Sequence, residues 1–405
     1  MIQSVDIIIV GAGMVGLTLA AALKNSELRI ALIDKKVPET FLDATPDIRV
    51  SALNCSSMTI LKNLGVWSDF LEKQIFPYSS MEVWEKDSFA HIEFNANPLI
   101  YPNLGYIVEN RLTRISLIKT LKKQRNVYFF MSTGCFSITI GEHEVWLTLD
   151  NGNILTAKLL VGADGANSWI RKEMDIPLTY WDYGHNAIVA NVQTQNDHES
   201  IVRQIFTSQG TLAFLPISNE YISSIVWSTD SGRAKQLVYI SDDEFNKCLT
   251  EEFDAYLGLC QVITKRVIYP LRMRYARDFV VERAVLIGDA AHTIHSLAGQ
   301  GVNLGLLDAA SLAEEILALS RKGKDFGKRR NLRQYERWRK TEAVKMIALM
   351  QSFRDLFQGS NPIKKLIRGF GMEFTNRFPY IKDEIIRQAL GVKGNLPKLA
   401  TSFLK

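Results

Sequence analysis

The chain has few cysteines and histidines, and neither residue type is spaced as a disulfide framework or a metal site. Of its 405 residues, 4 are Cys and 6 are His. The cysteines, which lie far apart without a CxxC pair, are Cys55, Cys135, Cys248 and Cys260. His292 and His295 are near one another, but no third ligand has suitable spacing. The sequence therefore argues against a bound metal and favours reduced, cytosolic thiols.

A long apolar stretch is also absent. No uninterrupted run reaches the roughly 18 residues that can span a bilayer, although 47% of the residues are hydrophobic. The net charge is only +5, but residues 321–345 hold eleven Lys and Arg against three Asp and Glu. Such a segment is typical of a solvated helix face, a surface for an acidic partner or a surface for an anionic membrane. No nucleic-acid-binding motif accompanies it, so we expect no nucleic-acid partner.

The N-terminal segment is typical of a dinucleotide-binding site. An apolar run at residues 5–10 precedes the GxGxxG glycines Gly11, Gly13 and Gly16, and a helical pattern follows to residue 23. Gly11 permits a tight turn, Gly13 leaves room for a pyrophosphate, and Gly16 allows close helix packing. A second apolar run ends at Asp34, close to the spacing of about 20 residues expected for the acid that binds a ribose.

The remaining pattern predicts nucleotide-binding elements interleaved with a second sheet. We predict a helix entered from a loop at 49–64, a strand at 81–94, a helix at 112–122, a strand at 127–131, a hairpin of strands 145–149 and 154–161, and a short strand at 284–287. A largely antiparallel sheet is predicted from strands at 187–193, 202–206, 210–215 and 223–227. Beyond Asn303 the pattern is helical almost to the end.

Two further glycine-rich motifs each follow a predicted strand. They are Gly162-Ala163-Asp164-Gly165 and Gly288-Asp289-Ala290-Ala291-His292. An Asp beside Gly at a strand end can direct its carboxylate at sugar hydroxyls while the backbone stays close to a ligand. Either motif alone could be a surface turn, but the combination with GxGxxG is specific.

These motifs resemble those of the FAD-dependent aromatic hydroxylases, which have the para-hydroxybenzoate hydroxylase fold. The resemblance implies that GxGxxG, including Met14, holds the ADP part of FAD. It implies flavin contacts for Arg49, Glu109 and Arg111, a flavin and nicotinamide role for Asp164 and Gly165, and a ribityl contact for Asp289 after Gly288.

Residues 288–305 are similar in particular to the ubiquinone-biosynthesis hydroxylases. The same similarity implies cofactor contacts from Gly299, Gly301, Val302 and Asn303. Residues 176–183 and 351–357 resemble the 2-octaprenylphenol hydroxylase branch of that family. One departure is Ser296, where the family usually has Pro beside the flavin ring.

The implied fold is α/β with an α+β insert: a Rossmann-type FAD domain, an antiparallel-sheet substrate domain and C-terminal helices. The length predicts two or three domains. We expect a discontinuous FAD domain at 1–80, 105–178 and 270–340, a substrate domain at 81–104 and 179–269, and a C-terminal helical region at 341–405.

The resemblance implies a monooxygenase that uses FAD as cofactor and NAD(P)H and O2 as co-substrates. NAD(P)H reduces the flavin, and one oxygen atom of O2 is transferred to a phenol ring, here 2-octaprenylphenol to 2-octaprenyl-6-hydroxyphenol. Because no second GxGxxG is present, we expect NAD(P)H to bind transiently. The catalytic base is not identified by the sequence; His295 is a weak candidate. Phe206, Phe214 and Trp227 are candidate pocket residues, though such residues are more often core.

Two other classes remain open, a flavoprotein prenyl-chain reductase and a non-catalytic nucleotide-binding module. Within the hydroxylase interpretation, another ring position is a further alternative. We expect a membrane-resident polyprenylphenol substrate, a homo-oligomer, and a cytoplasmic protein that docks peripherally at the inner membrane or on a quinone-biosynthesis complex. The basic residues Lys364, Lys365 and Arg368, together with the 321–345 segment, are the predicted docking region.

Overall fold

The computed structural model describes residues 1–405 except 38, 40–46, 71–74, 97–101, 295–300, 358–373, 375–376 and 402–405. The strands, numbered in chain order, are β1 Ile2–Ser4, β2 Ile7–Val10, β3 Ile30–Asp34, β4 Val50–Leu53, β5 Ile75–Tyr78, β6 Ser80–Glu85, β7 His91–Asn95, β8 Gly105–Glu109, β9 Val127–Met131, β10 Cys135–Ile140, β11 Val145–Leu149, β12 Ile154–Ala157, β13 Leu159–Gly162, β14 Leu178–Thr194, β15 Ile201–Thr207, β16 Gly210–Pro216, β17 Ile222–Asp230, β18 Cys260–Val262, β19 Val267–Ala276, β20 Val280–Val281, β21 Ala284–Leu286 and β22 His292–Thr293. The helices are α1 Met14–Ala22, α2 Cys55–Asn63, α3 Asn110–Leu121, α4 Trp169–Glu173, α5 Ser231–Tyr239, α6 Asp242–Glu252, α7 Gly301–Arg321, α8 Arg329–Phe357, α9 Pro379–Ala389 and α10 Lys398–Thr401.

The N-terminal nucleotide-binding elements build a six-stranded sheet in the order β20-β21-β13-β2-β3-β9. Apart from the β20–β21 pair, its strands are parallel. The central strand β2 is completely apolar and buried, as expected for a strand covered on both faces. Helices α1, α3 and α7 cover one face through a core that includes Ile9, Leu19, Leu117 and Leu312. The parallel sheet places the ends of β2, β3, β13 and β21 at one edge.

The predicted antiparallel sheet is confirmed and is larger than expected. Its strands run in the order β22-β19-β14-β17-β16-β15-β6-β7, with β18 paired to β14. One face packs against α5 and α6. The opposite face packs against the three-stranded sheet β4-β8-β5, because Leu215 and Val202 share a core with Ala52 and Ile107. The large sheet therefore lies between a helical layer and the nucleotide-binding part of the molecule.

Three of the predicted elements need correction. Residues 50–53 form strand β4, paired with β8, and the helix begins only at Cys55. The predicted strand 154–161 is two strands: β12 ends at Ala157 in a four-stranded sheet, and β13 begins at Leu159 in the six-stranded sheet. The predicted strand 81–94 is a hairpin whose turn contains Asp87 with a φ of 56°. In each case the apolar pattern continues across the point where one element ends and the chain changes direction. Periodicity alone therefore does not show where the element ends.

The basic segment 321–345 lies mostly on α8, and only part of it is a solvated face. Arg333 and Arg337 are exposed, whereas Arg339 and Glu336 are buried. The Glu336 carboxylate accepts hydrogen bonds from the backbone N–H groups of Phe279 and Val280. Two charges of this segment thus anchor α8 to the protein.

The predicted domain boundaries stay a prediction. Strand β19, Val267–Ala276, runs across the predicted boundary between residues 269 and 270.

Candidate active site

The GxGxxG turn joins β2 to α1 in close contact with the loop after β13. Gly11 has a φ of +111°, and a Cβ added there would lie 2.3 Å from the carbonyl oxygen of Ala163. A Cβ added at Gly16 would lie 2.0 Å from the carbonyl oxygen of Gly11. Only glycine fits both positions, so the first and third glycines of the motif are required by the protein itself.

Gly13 differs, because an added Cβ would have no protein atom within 4 Å. Gly13 precedes Met14, the first residue of α1, and no side chain caps this helix end. The backbone N–H groups of the first turn are therefore available, and the helix dipole favours an anion beside them. This open cradle at a helix N-terminus fits the pyrophosphate of a dinucleotide.

Asp34 ends β3 beside this cradle. Its Oδ2 accepts a hydrogen bond from the backbone N–H of Ala12 at 2.7 Å, and its Oδ1 accepts one from Lys36 at 2.8 Å. The carboxylate is only half-buried. It fixes the GxGxxG turn and retains lone pairs that can accept from a ribose hydroxyl.

The loop after β13 is organised by Asp164. Its Oδ2 accepts hydrogen bonds from the backbone N–H groups of Trp169 and Ile170, at 2.6 and 3.1 Å, while Oδ1 is buried without a hydrogen-bond partner among the described residues. Gly165, with a φ of +81°, has open space where a Cβ would lie. A buried carboxylate oxygen without a partner is costly, and a ligand hydroxyl beside this loop would satisfy it.

Arg171, which the sequence gives no reason to single out, joins two of the motifs. Its guanidinium donates to the carbonyl oxygens of Ala290 and Ala166, at 2.9 and 3.0 Å. The side chain is buried, and burial together with the positive charge of Arg274 lowers its pKa. Arg171 therefore fixes the loop after Asp164 relative to the turn at Gly288.

Asp289 lies in the turn that follows β21. Solvent reaches its side chain, yet surrounding protein raises the pKa of its carboxyl group, against the opposing effect of the charges on His292, Arg49 and Arg274. The exposed Arg49 guanidinium lies 5.2 Å from the centroid of the Tyr269 ring on β19. Arg49 and Asp289 thus lie near the junction of the nucleotide-binding elements and the large sheet.

Behind this turn lies a buried charge network centred on Asp308 of α7. Its Oδ2 accepts from the backbone N–H of Gly288 at 3.0 Å and lies 2.6 Å from Nε2 of His292. Its Oδ1 accepts from Nε of Arg339 at 2.6 Å. Burial alone would raise the pKa of Asp308, but His292 and Arg339 lower it below its ordinary value. A carboxylate so held fixes the Gly288–Asp289 turn against α7 and α8.

The other predicted cofactor residues have mainly protein partners. Glu109 and Arg111 form an ion pair with 2.7 Å between Oε2 and Nε. The amide of Asn303 donates to the carbonyl oxygen of Ala52 and accepts from the N–H of Asn54, so it ties α7 to β4. Gly301 is the first residue of α7, and a Cβ added there would meet no protein atom within 4 Å. Val302 is partly buried and packs against the core. His295, Ser296 and Gly299 lie outside the described residues.

The structure places the three predicted pocket residues in core clusters of the large sheet. Phe214 stacks on Phe253, with 3.9 Å between ring centroids, and Trp227 contacts Phe245. Both lie in the core on the helix-covered face of the large sheet. Phe206 lies on the opposite face, but it is buried against the β6–β7 hairpin. Side chains alternate between the faces of a strand, and alternation alone does not reveal which face meets the cofactor.

The face directed toward Arg49 carries a different set of residues. Val267, Val189 and Val226 lie opposite one another across β19, β14 and β17, and all three are half-buried. Val267 shares its face with Tyr269, two residues along the strand. The row continues through Ala213 to Gln204, whose Oε1 is buried without a hydrogen-bond partner among the described residues. The Oδ1 of Asn191, on this same face, is likewise without one. This floor is apolar and edged by polar oxygens.

These residues fit FAD. The cradle at Gly13 would hold its pyrophosphate, Asp34 its ribose and Asp289 its ribityl chain, while Asp164 supplies an unsatisfied acceptor. When bound, FAD supplies the redox chemistry of O2 activation, which no side chain provides. The chain itself would bind and orient the cofactor and places an apolar floor beside its site.

Comparisons with known proteins agree with this site. The family described as "FAD binding domain" matches residues 4–349. The chain is 32% identical over 391 residues to 3-demethoxyubiquinol 3-hydroxylase of Escherichia coli (strain K12), covering 96% of this chain and 99% of the relative. It is 32% identical over 386 residues to ubiquinone hydroxylase UbiL of Rhodospirillum rubrum, covering 95% and 89%.

The solved structures confirm the predicted fold. The p-nitrophenol 4-monooxygenase PnpA of Pseudomonas putida DLL-E4 has a TM-score of 0.79 at 19% identity, covering 96% of this chain and 98% of that one. PqsL of Pseudomonas aeruginosa has a TM-score of 0.78 at 18% identity, covering 92% and 100%. The architecture is that of the para-hydroxybenzoate hydroxylase-like monooxygenases.

The chain is thus an FAD-dependent aromatic monooxygenase. More narrowly, it belongs to the FAD-dependent hydroxylase family of ubiquinone biosynthesis. Among the described residues, none of the helices is both long and apolar enough to pass through a bilayer.

Proposed function

We propose that the protein hydroxylates the ring of a polyprenylphenol, converting 2-octaprenylphenol to 2-octaprenyl-6-hydroxyphenol at the expense of NAD(P)H and O2. The observation that supports this most is the half-buried row of Val267, Val189 and Val226 on the face directed toward Arg49. An apolar floor suits an aromatic ring that carries a hydrocarbon chain.

The phenol must be electron-rich when it is oxidised. An unperturbed phenol has a pKa of about 10, so a hydrogen-bond acceptor increases its phenolate character. This face of the sheet offers two acceptors, Oε1 of Gln204 and Oδ1 of Asn191, which are buried without partners among the described residues. The two residues lie on strands three positions apart in the sheet, so the phenol hydroxyl can donate to only one of these oxygens. His295 stays a prediction, because it lies outside those residues.

A second substrate is favoured by one specific relative. The Escherichia coli protein that is 32% identical is a 3-demethoxyubiquinol 3-hydroxylase. The corresponding reaction would use the same floor with a more substituted ring. A prenyl-chain reductase is the remaining alternative, and the mass of the product distinguishes it.

The test uses the purified, FAD-loaded protein with NAD(P)H and isotopically heavy O2. Separate reactions receive 2-octaprenylphenol, a soluble short-chain 2-prenylphenol, or 3-demethoxyubiquinol, and products are analysed by mass spectrometry. We expect one heavy oxygen atom in the product from 2-octaprenylphenol and from its short-chain analogue. Incorporation only into 3-demethoxyubiquinol would favour the second substrate. Addition of hydrogens without oxygen would contradict hydroxylation altogether.

The proposed substrate is confined to membranes by its prenyl chain. We therefore also propose that the protein works at the cytoplasmic face of the inner membrane or on a quinone-biosynthesis complex, as a homo-oligomer. The predicted docking residues Lys364, Lys365 and Arg368 lie outside the described part of the chain. Neutralising all three should lower quinone production in cells without changing FAD content, and native mass measurement gives the number of subunits.

A further inference from the structure

The first part of β14 extends beyond the body of the large sheet. Residues Leu178–Asp182 pair with Arg272–Ala276 of β19, but β17 joins β14 only from His185 onward. This stretch of β14, the edge ribbon, therefore has a paired side and an edge without a partner strand among the described residues.

The edge ribbon exposes two large aromatic residues. Tyr180 is 64% exposed and Trp181 is 52% exposed. Adjacent residues of a strand point to opposite faces, so both faces of the ribbon are open here. Tyr and Trp are the residues enriched at membrane interfaces, where one end of the side chain meets apolar groups and the other meets water.

The surroundings of the ribbon are basic. Arg274 lies directly opposite Tyr180, and Arg272 opposite Asp182, with which it forms an exposed ion pair of 2.9 Å. Arg277 follows at the end of β19, and its carbonyl oxygen accepts from the Lys340 ammonium of α8. Asp182 offsets Arg272 and Asp289 lies near Arg274, but Arg277 and Lys340 add two further positive charges, so the surface attracts anions.

The ribbon also lies close to both the cofactor site and α8. Arg274 pairs with Thr293 of β22, four residues after Asp289, and its charge acts on the Asp289 carboxyl group. Tyr183 forms a hydrogen bond of 3.4 Å with Gln351 of α8. Val344, seven residues before Gln351 and therefore on the same face of this helix, is 50% exposed. Aromatic, aliphatic and basic side chains thus occur together on one part of the surface near the flavin site.

We propose that Tyr180 and Trp181 insert into the headgroup region of an anionic phospholipid bilayer and thereby dock the enzyme where its substrate resides. This inference rests on the proposed function, because a prenylated phenol must arrive from the bilayer. The aromatic rings occupy the level of the headgroups, where water still reaches the free edge of β14. The arginines and Lys340 add attraction to anionic lipids, which salt screens.

The test is co-sedimentation of the FAD-loaded, full-length protein with vesicles. The vesicles are phosphatidylcholine alone or a mixture with phosphatidylglycerol. The variant Tyr180→Ala/Trp181→Ala is compared with Tyr239→Ala/Phe136→Ala, which removes two aromatic residues that are 86% and 72% exposed elsewhere. We expect the ribbon variant to bind the mixed vesicles at least about tenfold more weakly than wild type, and the control to bind as wild type does.

Flavin content and turnover of the soluble short-chain 2-prenylphenol are measured alongside, and neither should change in the ribbon variant. Wild-type binding should weaken in high salt and on neutral vesicles. The proposal is overturned if wild type does not bind mixed vesicles, if the ribbon variant binds them equally well, or if the control loses as much. Failure of the proposed function would instead show as no hydroxylation of the soluble substrate by wild type, whatever the vesicle result.

Discussion

Asp308 and Arg339 form an ion pair that solvent does not reach: Oδ1 lies 2.6 Å from Nε, and each side chain is only 1% exposed. Removing one partner of such a pair leaves a buried charge behind, at a cost of about 3–5 kcal/mol. Arg339→Met should therefore lower the free energy of unfolding by an amount of that order, measured by urea denaturation of the FAD-loaded protein. The matched change Arg272→Met, at the exposed pair with Asp182, should leave the midpoint near that of wild type. Equal losses in the two variants would contradict the role of burial.

The same pair predicts a pH dependence of stability. His292 and Arg339 hold the pKa of Asp308 below its ordinary value despite burial. A carboxyl group whose pKa is lowered by folding stabilises the protein above the pKa of the unfolded chain, about 3.9, and the contribution is lost as pH falls toward the folded value. The stability difference between wild type and Asp308→Asn should be constant from neutral pH to about 5, then shrink in more acidic solution. A difference that grows on acidification would show the opposite sign.

The second and third glycines of GxGxxG should respond differently to a methyl group. Gly13 has a φ of −75°, which alanine adopts, and its Cβ would meet open space. Gly13→Ala should fold normally but bind FAD more weakly, because the methyl group enters the phosphate cradle. Gly16→Ala should lower the thermal midpoint of the apoprotein, since its Cβ would collide with the Gly11 carbonyl oxygen. Thermal unfolding of apoprotein and flavin titration separate the two effects; tight FAD binding by Gly13→Ala would refute the cradle.

The two acidic residues assigned to FAD should differ in importance. Asp34→Ala should weaken FAD binding and Asp289→Ala should nearly abolish it, as hydrogen bonds to charged groups contribute about 1.5–3 kcal/mol each. Flavin retained after extensive dialysis is the measurement, and Asp243→Ala, on the exposed face of α6, is the control. Retention of flavin by both variants at the wild-type level would reject the assignment.

The valine floor and the helix-covered face predict opposite phenotypes. Val189→Phe should raise the KM for the prenylphenol or lower hydroxylation with normal FAD content, because the larger ring fills the floor. Trp227→Phe should lower stability while leaving the KM unchanged, since Trp227 packs against Phe245 behind the sheet. Steady-state kinetics with product analysis and urea denaturation distinguish the two. If Trp227→Phe raised the KM and Val189→Phe did not, Trp227 would line the pocket, as the sequence analysis predicts.

The parts of the site that could be predicted are those whose residues are contiguous in the sequence. GxGxxG, Gly162–Gly165 and Gly288–Asp289 each combine a strand with a turn, so short segments carry the signal. Arg171 and Arg339 carry no such signal, because their partners Ala290 and Asp308 are distant in sequence. Asp308 lies in the middle of α7, and its contacts with Gly288 and His292 span 20 and 16 residues. The sequence pattern therefore does not predict its role either.

The inserted sheet shows a different limit. Alternation in β16 and β17 separates two sets of side chains but does not state which set the cofactor faces. That choice depends on α5 and α6, whose Leu237, Phe245 and Leu249 bury the set containing Phe214 and Trp227. The two helices that follow β17 directly were the available indication that one face of this sheet is covered.

Strand β22 pairs with β19 through Tyr275–His292 and Arg274–Thr293, so the substrate-side sheet continues directly into the segment that follows Asp289. A slip of this pairing by one residue would turn His292 to the other face and break its contact with Asp308. Misregistered chains would then fail to complete the cofactor turn. Retained flavin, visible as yellow colour, therefore reports correct assembly of the large sheet as well as an intact nucleotide site.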